Sequence, residues 1–286
     1  MKASLWLFLP TYNEAGNLER IVDATAARLE ASAPGDWGLL VVDDASPDGT
    51  GRLADRLAER HERVEVLHRP GKEGLGKAYL AGFAGALERG ADRVIVMDAD
   101  FSHDPAHLPA ILEAAAENDL VLGSRYVAGG RIVDWPPLRR VLSRFGSIYA
   151  RAVLGVGVRD LTSGFRCVRR EVLETVEPST LRAQGYVFNI ELTYRALLAG
   201  FKVTEVPICF RDRIAGDSKM SLPIAIEALM LVPKLRSLRR PVAEQQEGAA
   251  PRPGRRIRWR SPRWPRRPGG LLGSAGAEAA GDRTDG

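Results

Sequence analysis

The sequence predicts an α/β fold, a sandwich built on a mainly parallel sheet, and three observations predict it. Short apolar runs of strand length recur along the first half of the 286 residues. Between them lie stretches with apolar residues at three-to-four spacing, the period of an amphipathic helix. Polar, ligand-capable residues directly follow four of the runs, and in parallel sheets ligands bind outside the carboxyl ends of the strands.

Taken in order, the first run is Leu5–Leu9, which leads through Pro10-Thr11-Tyr12-Asn13-Glu14 to a helix carrying Leu18, Ile21, Val22 and Leu29. The second, Leu39–Val42, ends in Asp43-Asp44-Ala45-Ser46-Pro47-Asp48-Gly49-Thr50, and the helix behind it carries Leu53 and Leu57. Val64–Leu67 is the third; after it Gly74-Leu75-Gly76-Lys77 opens a helix carrying Leu80, Phe83 and Leu87. That glycine turn suits either a phosphate cradle or, more simply, a helix start. Val94–Met97 runs into Asp98-Ala99-Asp100, ahead of a helix with Leu108, Ile111 and Leu112. Leu120–Leu122 ends in Gly123-Ser124-Arg125-Tyr126. No G-x-G-x-x-G follows the first strand and no G-x-x-x-x-G-K-[ST] occurs, which argues against dinucleotide binding and P-loop chemistry.

Composition sets further bounds. At 45% hydrophobic and 27% charged residues the chain reads as a globular protein. Its two cysteines, Cys167 and Cys209, lack C-x-x-C spacing, offer no zinc site and suit a reducing compartment. Leu5–Leu9 is too short for a secretory h-region, and Leu222–Val232, interrupted by Pro223 and Glu227, is too short to cross a bilayer. Net charge is +5 and uneven: Pro251 to Gly270 holds eight arginines and no acid, interleaved with Trp259 and Trp264. We therefore expect a folded domain over residues 1–240 and a disordered Arg/Pro/Gly-rich tail over 241–286. Arginine with tryptophan suits an anionic membrane surface; an inert solubilising tail is the plainer alternative. Nothing else in the chain supports nucleic-acid binding.

Asp98-Ala99-Asp100 carries the sharpest chemical signal. Residues two apart on a strand point the same way, so two carboxylates share one side and repel unless a cation or strong donors lie between them. A divalent ion carrying a phosphorylated ligand resolves that repulsion. Turn and helix-cap aspartates are the structural alternative, but four polar strand ends on one edge favour a pocket.

The motifs PTYNE, VVDDASPDGT, KEGLGKAY, VMDADFSHDP, GSRYV, DLTSGFR and GDSKM, in this order, resemble the family-2 glycosyltransferases, within them the polyprenyl- or dolichyl-phosphate mannose synthases. The resemblance spans residues 3–238. It implies a GT-A (Rossmann-like) three-layer sandwich, a GDP-mannose donor, Mg²⁺ or Mn²⁺ and a polyprenyl monophosphate acceptor. It also implies inverting transfer by a cytoplasmic enzyme, peripheral on the cytoplasmic face of the membrane, making a lipid-linked sugar donor. A separate membrane-anchoring subunit is a candidate partner, and a donor such as UDP-glucose is the alternative. By position, the resemblance assigns Pro10, Tyr12, Glu14, Val42, Asp44 (or Asp43), Asp98, Ala99 and Asp100 to the donor. Asp98 and Asp100 become metal ligands, and Ser102 stands where relatives can carry a glutamine ligand. Arg125, Arg139, Arg213 and Lys219 match basic positions associated with phosphate, with Asp100, Arg125 and Arg213 as the catalytic set.

These residue types suit such a reaction. Negative charge develops on a departing diphosphate, which a metal and fixed cations stabilise. A phosphate monoester, with a second pKa near 6, is already a nucleophile at neutral pH, so no carboxylate base is required. His103 is expected to serve local structure. Arg166 in Ser163-Gly164-Phe165-Arg166 is a structural residue or a phosphate contact, and Glu191 an acceptor-side group or an ordinary half-buried acid. Asp134-Trp135-Pro136-Pro137 reads as a loop near the acceptor entry. The Ile224, Ala225, Ala228, Leu229 and Leu231 stripe packs on the domain or lies on a bilayer. A catalytically dead scaffold is disfavoured because both D-x-D carboxylates and the late basic residues are present.

Overall fold

Alternate residues of the first strand face opposite layers, and the chain supplies a different set of helices to each. The computed structural model describes residues 3–181, 185–212 and 230–238. In chain order the elements are β1 (Leu5–Thr11), α1 (Leu18–Ser32), β2 (Trp37–Asp43), α2 (Thr50–Arg60), β3 (Val64–His68), α3 (Leu75–Glu88), β4 (Arg93–Val96), α4 (Leu108–Glu117) and β5 (Leu120–Ser124). There follow β6 (Arg131–Ile132), α5 (Pro137–Leu154), β7 (Arg166–Arg169), α6 (Arg170–Val176), α7 (Gly185–Leu198), β8 (Val203–Pro207) and β9 (Cys209–Phe210). The five expected strands and four expected helices are all present.

Leu5, Leu7 and Leu9 of β1 pack with Leu39 and Val41 of β2 against α1, α2 and α4. Trp6 and Phe8 pack with Leu40 and Val42 against α3, α5, α6 and α7. The result is the three-layer sandwich, and it explains why these strands are continuous apolar runs: both faces are buried. Phe8 sits edge-on to Phe83, with ring centroids 5.2 Å apart. A Cβ on Gly82 would lie 2.4 Å from the Phe8 ring, so only glycine lets α3 approach this closely.

Strand order is β3-β2-β1-β4-β7-β5-β8. All neighbours run parallel except β7, which is antiparallel to both β4 and β5. Reversing twice, the chain leaves β1, β2, β4, β5 and β8 with their carboxyl ends on one edge. The order also turns back at β1, so β1 and β4 flank a topological switch point, where open α/β sheets bind ligands. The small parallel pair β6–β9 closes the side of this edge. Among the described residues no helix is long and apolar enough to cross a membrane. Of the late stripe, only Leu231 is described; it lies against the core, beside the buried Val232 and Leu235. The tail over 241–286 lies outside the described residues.

Candidate active site at the strand ends

Backbone conformation marks the edge before any side chain does. Asn13, Ala45 and Phe101 have φ of 59°, 55° and 60° and lie directly behind β1, β2 and β4. A left-handed L-residue costs roughly 1–2 kcal/mol, and such strain collects where surrounding structure over-determines a site.

Asp98 and Asp100 leave β4 at this edge. Asp100 is buried; its Oδ1 accepts from the Ser102 amide at 3.0 Å and from the Ser102 hydroxyl at 2.5 Å. Ser102 is thus oriented toward Asp100 as a donor, and its hydroxyl helps fix the carboxylate. The side chain of Asp98 is 30% exposed. Its amide donates to His103 Nδ1 at 3.0 Å, so that nitrogen carries no proton. Burial pushes His103 below the ordinary imidazole range, against the pull of Asp98 and Asp100. The ring is neutral, stacked on Phe165 at 5.1 Å, and does not cancel the Asp98 charge 3.7 Å away. This is the local role expected for His103. Ala99 packs in the core between the two carboxylates. Gly164 lies alongside: a Cβ there would stand 2.8 Å from the Tyr79 hydroxyl and 3.8 Å from Asp98 Oδ1.

On the β1–β2 side, Pro10 pairs in register with Val42. Tyr12 carries Lys72 above its ring, 3.9 Å from the centroid. The buried Glu14 accepts from Asn17 Nδ2 at 3.1 Å, and its amide donates to Thr50 Oγ1 at 2.9 Å, joining the ends of β1 and β2. Asp43 accepts from the Ser46 hydroxyl at 2.6 Å. Asp44 pairs with the buried Arg69, which also reaches Glu73 at 2.7 Å. The Val42 side chain is fully buried in the core and its carbonyl accepts from Thr11 Oγ1 at 3.1 Å.

The cations divide. Arg125, expected as a phosphate contact, is engaged with residues of the protein. Its Nε and Nη2 donate to Asp160 at 2.8 and 2.7 Å, Nη2 also to Thr162 at 2.8 Å, and the Arg125 amide to Asp160 at 3.0 Å. Asp160 is fully buried, and Tyr126, Trp135 and Phe210 surround the guanidinium. Arg125 is therefore a strut tying the end of β5 to the DLTSG loop. Arg139 stacks 4.0 Å over Trp135 and donates to Asp212 at 2.9 and 3.1 Å, so it too is engaged within the protein at the edge of the site. Arg166 is wholly buried, pushed down to about 10 by desolvation and still protonated at neutral pH; it donates to the Ser163 and Asn189 carbonyls, which settles its role as structural. Glu191 is buried with Arg195 at 2.5 Å, an ordinary i,i+4 pair. Arg213 and Lys219 lie outside the described residues. Arg69 and Asp212 were not singled out in the sequence, because Asp44 and Arg139, which they meet, are distant along the chain; Lys72 and Asp160 stood only as the first residues of the motifs KEGLGKAY and DLTSGFR, with no role assigned.

Among the described residues no group of three or more His, Cys, Asp or Glu side chains could hold a metal by itself. Two adjacent hard carboxylates still fit a divalent ion of the Mg²⁺ type, which takes one or two carboxylates and completes its shell with phosphate oxygens and water. They do not fit a zinc centre.

Residues 6–177 match the family described as Glycosyl transferase family 2. The chain is 50% identical over 228 residues to the polyprenol monophosphomannose synthase of Mycolicibacterium smegmatis, covering 79% of this chain and 84% of that protein. It is 46% identical over 224 residues to the undecaprenyl-phosphate mannosyltransferase of Micrococcus luteus, covering 78% and 90%. Among solved structures it is similar to glucosyl-3-phosphoglycerate synthase of Mycobacterium tuberculosis in complex with Mn²⁺, UDP and phosphoglyceric acid. There the TM-score is 0.61 at 19% identity, covering 82% of this chain and 78% of that one. The same enzyme with Mg²⁺ and UDP gives a TM-score of 0.59 at 19% identity over 82% and 80%. This last likeness shows the GT-A fold. With the family match across most of the sandwich and the two relatives along its length, the chain belongs to glycosyl transferase family 2 and is a glycosyltransferase.

Proposed function

We propose that this enzyme transfers a mannosyl group from GDP-mannose to a polyprenyl monophosphate, with inversion, using Mg²⁺ or Mn²⁺ at the cytoplasmic face of a membrane. The observation that carries the reading is the exposed Asp98 beside the buried, doubly bonded Asp100, at the switch point between β1 and β4. The two relatives, named for mannosyl transfer to polyprenol or undecaprenyl phosphate, support the sugar and acceptor class.

Asp98 and Asp100 would hold the ion, which supplies positive charge against the diphosphate as the sugar–phosphate bond breaks. An acceptor phosphate oxygen forms the new bond at the anomeric carbon, and the leaving diphosphate takes the electron pair. The acceptor is already ionised at neutral pH, so the neutral, buried His103 need not remove a proton. It holds the Asp98 backbone, while Ser102 fixes the Asp100 rotamer. Tyr12 under Lys72, Glu14 and the Asp44–Arg69 pair form the wall assigned to the nucleotide. Arg213 and Lys219 remain the proposed phosphate cations. Arg125 and Arg139 tie down the loops at the edge of the site.

The test is a donor panel with a short-chain polyprenyl phosphate and either metal. Turnover with GDP-mannose that is abolished by chelation and restored by Mg²⁺ or Mn²⁺ is expected. Turnover with UDP-glucose alone, the donor type bound by the structural neighbours, would overturn the choice of sugar nucleotide. Chelator-insensitive turnover would overturn the metal.

A further inference from the structure

Asn189 sits on α7 with its backbone secured and its side chain unanswered. The Asn189 carbonyl accepts from Thr193 Oγ1 at 2.9 Å and from Arg166 Nη1 at 3.4 Å. The residue is 1% exposed, yet neither Nδ2 nor Oδ1 of its carboxamide has a hydrogen-bond partner. An unpaired carboxamide is costly to bury, and an apolar residue would avoid that cost between its buried apolar neighbours Phe188 and Ile190. Arg166 Nε, beside it, is likewise without a partner. Two polar groups that pack poorly for stability therefore lie together on this side of the sheet.

Position says what they face. α7 leads into β8, which runs parallel to β5, so α7 begins at the edge that holds Asp98 and Asp100. Phe188 meets Tyr79 of α3, with ring centroids 5.8 Å apart. A Cβ on Gly164 would lie 2.8 Å from that tyrosine's hydroxyl and 3.8 Å from Asp98 Oδ1. Arg166 joins the two sides, donating to the Asn189 carbonyl and to that of Ser163, next to Gly164. In a helix each Cα–Cβ bond tilts toward the N-terminus, which aims the Asn189 side chain at the strand-end edge.

We propose that Asn189 is a specificity-determining residue that reads the hydroxyls of the donor sugar, beside the diphosphate assigned to Asp98 and Asp100. This rests on the sugar-nucleotide reading above. A carboxamide offers an acceptor and two donor hydrogens side by side, and a hydroxyl both donates and accepts, so a vicinal pair of hexose hydroxyls meets both ends. A site built to bond a hydroxyl rejects a sugar that turns it away, because the buried polar group is then left unpaired. A carboxamide takes no proton at neutral pH, so Asn189 selects and orients, as suits an acceptor phosphate that needs no base. Arg166 is a positioning residue behind it.

The test compares wild type with N189L, which keeps the branched shape of the side chain, and N189A, which removes it. Calorimetry with Mn²⁺ gives the affinity for GDP and for GDP-mannose, turnover is measured with GDP-mannose and GDP-glucose, and thermal unfolding gives stability. GDP should bind all three proteins alike. GDP-mannose should bind the variants about tenfold more weakly than wild type, and the preference for it over GDP-glucose in kcat/KM should fall about tenfold or more. N189L should unfold no lower than wild type, since no protein partner is lost. Lowered stability in both variants would reveal a structural role and overturn the proposal. So would unchanged sugar affinity and preference, or an equal loss of affinity for GDP. If wild type uses UDP-glucose and not GDP-mannose, the donor reading fails instead, and UDP-glucose compared with UDP and UDP-galactose then tests Asn189 in the same way.

Discussion

Replacing Asp160 by alanine removes the acceptor of three hydrogen bonds from Arg125, through its amide, Nε and Nη2, and of one from Thr162 Oγ1 at 3.1 Å. Asp160 is fully buried and Arg125 nearly so, so the substitution strands a guanidinium in a site closed by Trp135 and Phe210. Breaking a buried pair from one side costs about 3–5 kcal/mol, because the remaining charge is uncompensated. The midpoint of guanidinium chloride unfolding should therefore fall by about 1 M. Arg125→Met should cost about as much, and R125M/D160L should recover much of the loss, since an apolar pair of similar volume replaces the ions. The sign of the pH dependence follows from Asp160. Burial raises its pKa, but the charge and hydrogen bonds of Arg125 outweigh that and hold it below the ordinary carboxylate range. Its contribution is therefore complete above the unfolded value of about 3.9 and is lost as pH falls through the lower folded value. Destabilisation by D160A should accordingly be full at neutral pH and shrink toward strong acid. The contrasting outcome is an Arg125→Met protein that unfolds like wild type yet loses turnover. That would place the guanidinium on substrate phosphate and refute the strut.

Three further outcomes are expected. Asp98→Asn and Asp100→Asn should each lower turnover by about 10²–10³-fold, the scale of losing one electrostatic contact to developing charge; calorimetric titration with Mn²⁺ and GDP should show weakened binding, and wild-type turnover in both would sink the metal assignment. Ser102→Ala removes the hydroxyl donor to Asp100 but keeps the carboxylate, so metal affinity should fall about 10-fold or more, read as the metal concentration for half-maximal turnover. Gly82→Ala drives a methyl group into the Phe8 ring and should destabilise by about 1–3 kcal/mol in denaturant unfolding, without altering donor KM in the folded protein.

The strands were legible wherever burial on both faces forced an unbroken apolar run, as in Leu5–Leu9 and Val94–Met97. β7, written Arg-Cys-Val-Arg, was not legible, because its two arginines are paired or buried by residues far away: Arg169 with Asp119, and Arg166 under α7. The D-x-D and the other polar strand ends were readable for the same reason as the strands, since the chain must leave a buried run at the sheet edge. The exposed apolar face of α5, with Leu142 and Phe145, escaped notice. In sequence, its leucines and phenylalanine carry the same period as a core-facing helix, and only packing says which side is in.

The sequence by itself determined the α/β class, the shared edge of the strand ends and the family to which the chain belongs. Each of these follows from local periodicity or from motifs whose spacing is short. Tertiary structure alone decided which distant charges pair within the protein. It assigned Arg125 to Asp160, 35 residues on, and Arg139 to Asp212, 73 residues on, and it left Asp98 with a neutral neighbour. An arginine has the same side chain whether it grips a substrate or a buried aspartate. Only the fold, by bringing distant partners within hydrogen-bond reach, separates the two.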